Sequence, residues 1–414
     1  MDDDWSRQST EPLPIIVATR TSRRHRRTRT LPPGRRRHRT VGVVAAMLAL
    51  VTVAGVYLGS RLWHEVLAAA DDFVATEGHD IIVEVHEGDS TVAIAETLAD
   101  REVVVTAGAF VEAAGENQAI SAIQPGFYRL HTFISASEAV ERLADPRNRT
   151  GRVVIPEGRQ LDDVQDVKTG AVTEGILTLV SRATCVVLDG DERCVDGAAL
   201  RQAAASVDLA TLKVPDWAVA SAEALRGDHR RIEGLIAAGA WNVDPIAAPA
   251  DIVASLITAS VNRYTAAGLG STAAGAELAT YQVLIVASLV QREAAAADFA
   301  KVARVIINRL TAGQNLELDS TVNYVLQQQE VATTDADRAE STPWNTYAAP
   351  GLPATPICSP SAEAIAAAAR PAEGDWMYFV TVDRQGTTVF TSDYQQHLVN
   401  VELARANGVL DSAR

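Results

Sequence analysis

Residues 277–293 read ELATYQVLIVASLVQRE, and the fold turns on how that run is read. From Glu277 to Val290 it reads as one strongly apolar helix, long enough to be a core element. Glu293 closes it on the same stripe as Val283, Val286 and Val290, with Leu289 one turn earlier, so its carboxyl group is expected to be partly desolvated. Burial disfavours the charged form, and the negative end of the helix dipole acts in the same direction. A carboxyl that keeps its proton near neutrality is what a general acid needs. The alternative is a glutamate on a solvated final turn paired with Arg292.

Downstream, Lys301–Leu310 (KVARVIINRL) places Val302, Val305, Ile306 and Leu310 at helical spacing, predicting a second amphipathic helix. A Pro-rich loop follows. Then come an Ala-rich helix over Ser361–Ala369, a strand over Trp376–Val382, a turn at Gln385-Gly386, a strand over Thr388–Thr391 and a final helix.

Upstream, residues 160–270 are Ala-rich and expected to be helical, interrupted by Asp/Gly turns and a cysteine loop. The break DPRNRTG precedes Arg152–Gly158 (RVVIPEG), a strand and turn that opens this larger region. Ile81–Leu130 reads as a small module: strand IIVEVHEG, helix Thr91–Leu98, a second helix within VVVTAGAFVEAAG, and a Pro-Gly turn into a strand. Helices mix with antiparallel strands without regular βαβ alternation, so the expected class is α+β.

The formal charge of −15 is unevenly spread: residues 1–40 carry eleven arginines against Asp2, Asp3, Asp4 and Glu11, and the remainder is strongly acidic. That balance argues against a nucleic-acid partner for the folded part. Val41–Gly59 contains no charge over nineteen residues. At about 1.5 Å per residue it nearly matches a hydrocarbon core of roughly 30 Å, so a single membrane helix is expected over 41–60. The basic cluster from Arg20 to Arg39 keeps residues 1–40 cytoplasmic as a tail and sends the bulk of the chain outward. The competing reading is a cleaved signal peptide ending near Ala68-Ala69-Ala70.

Cys185 and Cys194 flank an acidic loop (CVVLDGDERC) that can close as a disulfide in an oxidising compartment, leaving Cys358 single. No CxxC, HExxH or clustered His/Cys pattern suggests a metal, and no cofactor is expected.

Val286–Glu293 (VASLVQRE), Lys301–Leu310 and Leu316–Tyr324 (LELDSTVNY) together resemble, in order and spacing, the YceG-like (MltG) family of endolytic murein transglycosylases. Asn345-Thr-Tyr347, Gly351-Leu-Pro353, Pro356-Ile357, Ser359-Pro360 and Tyr378-Phe-Val380 are similar to that family's NTY, GLPP, PI, NP and YFV segments. Val154–Gly158 and Ile232-Glu-Gly234 resemble its entry strand and LEG segment, and Ile81–Leu130 its small LysM-like subdomain. The departures are Gln291 for the first glutamate of VEKE, Glu317 for Gln, Ser320 for the Pro of DPTV, Ala354 for the second Pro of GLPP, Ser359 for Asn, and Ala237–Trp241 (AAGAW) for FPDTY.

The resemblance implies a LysM-like subdomain over 80–150 and a catalytic domain over 151–414. It puts the catalytic glutamate at Glu293, and peptidoglycan synthases beside the chain in the membrane. It also gathers Asn308, Glu317, Asp319, Thr321, Asn345 and Tyr347 around the cleft as candidates for sugar and acetamido contacts, although Asp319 and Thr321 equally fit turn or cap roles. One carboxyl suffices in such a reaction because the substrate's own hydroxyl replaces water. Two other readings stand beside it: a muramidase-type hydrolase in which Glu317 or Asp319 places a water, and a membrane-anchored peptidoglycan-binding scaffold with little activity.

Overall fold

The structure, a computed structural model, describes residues 78–167, 169–270, 278–326, 328–329 and 333–409. The expected cytoplasmic tail and membrane span lie outside these residues. Among the described residues no helix is long and apolar enough to cross a membrane.

The chain opens with β1 (Asp80–Val85), α1 (Thr91–Asp100), α2 (Ala107–Glu116), β2 (Gly126–His131), α3 (Ala136–Ala144) and β3 (Arg149–Thr150). β1 and β3 both run antiparallel to β2. The helices start where hydroxyl side chains take up free amides: Ser90, Thr106 and Ser135 accept from Ala93, Ala109 and Glu138. Val83, Leu98, Phe110, Tyr128, Leu130 and Val140 form a core of this module's own, each such side chain contributing about 1.5–3 kcal/mol by burial.

The larger region begins with β4 (Arg152–Ile155), which pairs antiparallel with β9 (Gly239–Asn242). Between them lie β5 (Val164–Asp166), β6 (Val172–Thr173), α4 (Ile176–Ala183), the β7–β8 hairpin (Val186–Leu188, Asp191–Arg193), α5 (Gly197–Ser206) and α6 (Asp216–Ala224). Residues 160–270 are thus less uniformly helical than expected. Their strands are two to four residues long, too short to show a period-2 pattern. The cysteine loop is the hairpin, closed by a Cys185–Cys194 disulfide with an S–S distance of 2.06 Å.

Next come α7 (Pro249–Ala266), α8 (Thr280–Glu293), α9 (Phe299–Thr311), α10 (Asp319–Asn323), β10 (Gln328–Gln329), α11 (Asp335–Ala339), α12 (Ala362–Ala369), the β11–β12 hairpin (Tyr378–Thr381, Thr388–Thr391) and α13 (Tyr394–Ala406). The mixture, with small and mostly antiparallel sheets, is α+β.

α8 sits at the centre. It starts at Thr280, where the Ala279 amide donates to Gln282 Oε1 at 2.9 Å, and every residue from Leu284 to Val290 is buried. A helix that is apolar all round needs cover on all sides, and α6, α9, α10 and α12 pack around it. The Pro356–Pro360 segment is laced across it. Ile357 N donates to Ser288 Oγ at 3.0 Å, and Gly158 N and Ser359 N exchange backbone bonds with Ser359 O and Arg159 O, both at 2.8 Å. Gly234 has a φ of +74°, and a Cβ there would lie 2.4 Å from Pro356; only glycine lets the two segments meet.

Candidate active site

α8 delivers Glu293 at its last turn, and Ala294 at φ −145° ends the helix behind it. The side chain turns inward rather than toward solvent. Its Oε1 is buried and has no hydrogen-bond partner, although the residue as a whole is partly accessible. Burial raises its pKa above the ordinary glutamate value; Ser320 opposes the rise, Asp319 adds to it and Arg292 opposes it. Ser320 thus bears on the carboxyl, yet its own Oγ is buried without a formed hydrogen bond. Buried polar atoms without a formed hydrogen bond are costly in a finished fold, and here two of them, Glu293 Oε1 and Ser320 Oγ, belong to residues that act on each other.

α10 and the loop after it face this carboxyl with a closed network. Asp319 accepts from Thr333 Oγ1 at 2.8 Å, Tyr347 OH at 2.7 Å and Arg338 Nε and Nη2 at 3.2 and 3.0 Å. The Arg338 guanidinium also lies 5.0 Å from the Tyr347 ring centroid. Burial and the Asp319 carboxylate push the Tyr347 phenol above its usual range, so it stays a donor. Asp319, Tyr347 and Glu293 are therefore brought together.

The other sequence candidates divide. Thr321 is fully buried, its Oγ1 donating to Leu318 O at 2.7 Å and lying 2.9 Å from Thr346 Oγ1. Asn345 is buried too; its amide donates to Arg338 O and Glu340 O at 3.0 and 2.5 Å, and its Oδ1 accepts from Tyr347 N at 2.8 Å. Both brace the loop that carries Tyr347. Asn308 spends its amide on Trp376 O and Gly374 O, at 2.9 and 3.2 Å. Glu317 stands at the rim in the left-handed region, φ +50°, half in solvent and 3.9 Å from Arg309.

Arg309, Ser320, Thr333 and Arg338 were not among the sequence candidates. Ser320 carried a signal, as a departure from the family's proline; Thr333 and Arg338 lie in the polar stretch 333–341, which carries none. A cleft of about 630 Å³ lined by Ile155, Pro156, Ala237, Tyr264 and Ile365 does not include Glu293. Gln291, two residues before it, bonds Ser361 N at the wall of that cleft, at 2.8 Å. Among the described residues no three His, Cys, Asp or Glu side chains gather as a metal site.

The α+β fold thus ends its central helix in a carboxyl with one buried, unpartnered oxygen, beside a carboxylate already saturated with donors. The chain belongs to the YceG-like family, whose sequence model matches residues 83–403. It is 25% identical over 320 residues to the endolytic murein transglycosylase of Bacillus subtilis, covering 76% of this chain and 82% of that one. The endolytic murein transglycosylase of Streptococcus pneumoniae is 23% identical over 374 residues, which is 86% of this chain but 63% of the relative's length. Among solved structures, a yceG-like protein of Listeria monocytogenes aligns with 21% identity and a TM-score of 0.43, covering 78% of this chain and 99% of that one.

Proposed function

We propose that the chain is an endolytic lytic transglycosylase acting on peptidoglycan, with Glu293 as its single acid and base. The observation that carries this is the buried, unpartnered Oε1 of Glu293, on a carboxyl whose pKa is raised by burial. Protonated Glu293 gives its proton to the oxygen joining N-acetylmuramic acid to N-acetylglucosamine, and the bond from that oxygen to the muramic C1 breaks. The muramic 6-hydroxyl attacks C1 and returns its proton to the carboxylate. A 1,6-anhydro ring forms and no water is consumed. Attack is helped because the nucleophile is tethered to the reacting sugar.

The neighbouring carboxylates speak against hydrolysis. Asp319 is committed to Thr333, Arg338 and Tyr347, and Glu317 faces Arg309 at the rim; neither is a free base poised over a water. The test is mass spectrometry of products from uncrosslinked glycan strands treated with the full chain and with Glu293→Gln. Anhydromuramic ends made only by the unaltered chain support the reading, and reducing ends overturn it in favour of hydrolysis.

The finer parts of the proposal rest on the sequence. Residues 41–60 form a single-pass anchor in the cell membrane, with the arginine-rich 1–40 inside and the remainder extracytoplasmic. Residues 80–150 act as a LysM-like strand-binding subdomain and 151–414 as the catalytic domain. The strand–helix–helix–strand order with its own core supports that division, and peptidoglycan synthases are the expected neighbours.

A further inference from the structure

Beyond Arg309, which faces Glu317, lies a set of aromatic rings that the chemistry above does not use. Tyr378 at the start of β11, and Tyr394 and His397 in the first turn of α13, meet with ring centroids 5.4 Å apart for Tyr378–Tyr394 and 5.0 Å for Tyr378–His397. The imidazole lies nearly parallel to the Tyr378 ring, at 20°, while Tyr394 tilts by 50°. Tyr394 is 53% exposed.

The set is held rigidly. The Arg309 guanidinium lies 5.2 Å from the Tyr378 centroid and is pinned by bonds to Met377 O at 2.7 Å and Leu316 O at 2.5 Å. Asp393 caps α13 by accepting from Gln395 N and Gln396 N at 2.7 and 3.2 Å. Burial and Arg309 hold His397 below its usual pKa, so it backs Tyr378 as a neutral ring. Arg309 also connects the set to the residues around Tyr347, since it lies 3.9 Å from Glu317, whose amide donates to Thr346 O at 3.2 Å.

An exposed tyrosine ring braced by two half-buried rings suits a ligand with one apolar face and a ring of hydroxyl groups. Aromatic side chains supply large contact area at low entropic cost, and binding clefts combine such walls with a few polar anchors. We propose that Tyr394, packed against Tyr378 and His397, forms a stacking subsite for a sugar ring of the glycan strand whose cleavage is assigned to Glu293. The subsite rests on that reading of Glu293.

The alternative occupant is a protein. Leu398, Val399 and Leu403 are also exposed along α13, at 41%, 62% and 48%, and a partner protein would use these apolar side chains, whereas a sugar uses only the aromatic end.

The test is strand binding by the full chain in detergent, on the Glu293→Gln background that prevents turnover, using uncrosslinked glycan strands as the probe. Tyr394→Ala should weaken binding about ten-fold, while Tyr394→Phe, which keeps the ring, should stay within about two-fold. In the active enzyme Tyr394→Ala should raise KM more than it lowers kcat. Binding unchanged by Tyr394→Ala overturns the subsite, as does an equal loss from Leu398→Ser with Leu403→Ser, which would show that the effect does not come from the aromatic end. If the Glu293→Gln chain binds no strands at all and the unaltered chain cuts none, the reading of Glu293 itself fails and the subsite with it.

Discussion

Glu293 and Glu233 are both carboxyls raised by burial, each with an unpartnered Oε1, and what separates them is that Glu293 is partly accessible while Glu233 is fully enclosed. Glu233 is 1% exposed, and its Oε2 accepts from Leu161 N at 3.1 Å and Tyr324 OH at 2.9 Å. Burial pushes its pKa from 4.5 up to about 8, although the bonds from Leu161 and Tyr324 pull the other way. Between those values the folded chain holds a proton that the unfolded chain has released. The stability Glu233 contributes is therefore fully present below about pH 4.5 and is lost as pH rises through about 8. Glu233→Gln keeps an oxygen for both donors and removes the titration. Its melting temperature should fall less between pH 5 and pH 8 than that of the unaltered chain; parallel losses would refute a protonated Glu233. At Glu293 the corresponding experiment is kinetic. Ser320 holds the rise of its pKa in check, so Ser320→Ala should carry the alkaline limb of the pH–rate profile upward. An alkaline limb that stays put would mean that the hydroxyl does not bear on the carboxyl.

At the scale of elements, α11 and the loop that reaches Tyr347 work as one piece, because Asn345 ties the C-terminal end of α11 to the backbone of Tyr347. Asn345→Ala should cost about 1–3 kcal/mol by leaving buried backbone acceptors and an amide unsatisfied. Calorimetry should show a lower melting temperature along with the lower activity; activity lost at unchanged stability would instead make Asn345 a substrate contact. Residue type alone does not reveal this role, since a buried asparagine that braces a loop and one that holds an acetamido group read identically in a sequence. The apolar runs were legible for the opposite reason. α8 and α9 follow from the spacing of Val286, Leu289 and Val290 and of Val302, Val305 and Ile306, all buried as expected, and Glu293 follows from its place at the end of that stripe. Glu233 lies in a segment quoted only for its resemblance, because a lone acidic residue carries no pattern that announces burial. The short strands from β5 to β8 escaped for want of any period to read.

Across the molecule, the β7–β8 hairpin joins the N-terminal module to the larger region. Val186 and Leu188 pack against Ile82 and Phe127 in a small apolar cluster. The backbone amides of Asp80 and Asp189 each donate to the other's carboxylate, at 2.7 and 3.0 Å, and Arg129 donates to Val187 O at 3.1 Å. The hairpin is only three residues a side, too short to hold its shape by its ladder alone, so the Cys185–Cys194 bridge is what keeps Val186 and Leu188 presented to the module. Closing a loop of this size removes conformational freedom from the open chain worth about 2–3 kcal/mol. Cys185→Ser with Cys194→Ser should accordingly loosen the junction while leaving both cores intact. Hydrogen exchange should quicken at the amides of β7, β8 and β1 and stay slow in α8 and α9, and limited proteolysis should cut within 186–193. If exchange in the hairpin is the same with and without the bridge, the apolar cluster and the aspartate pair hold the joint by themselves, and the disulfide is incidental to how the two regions are held together.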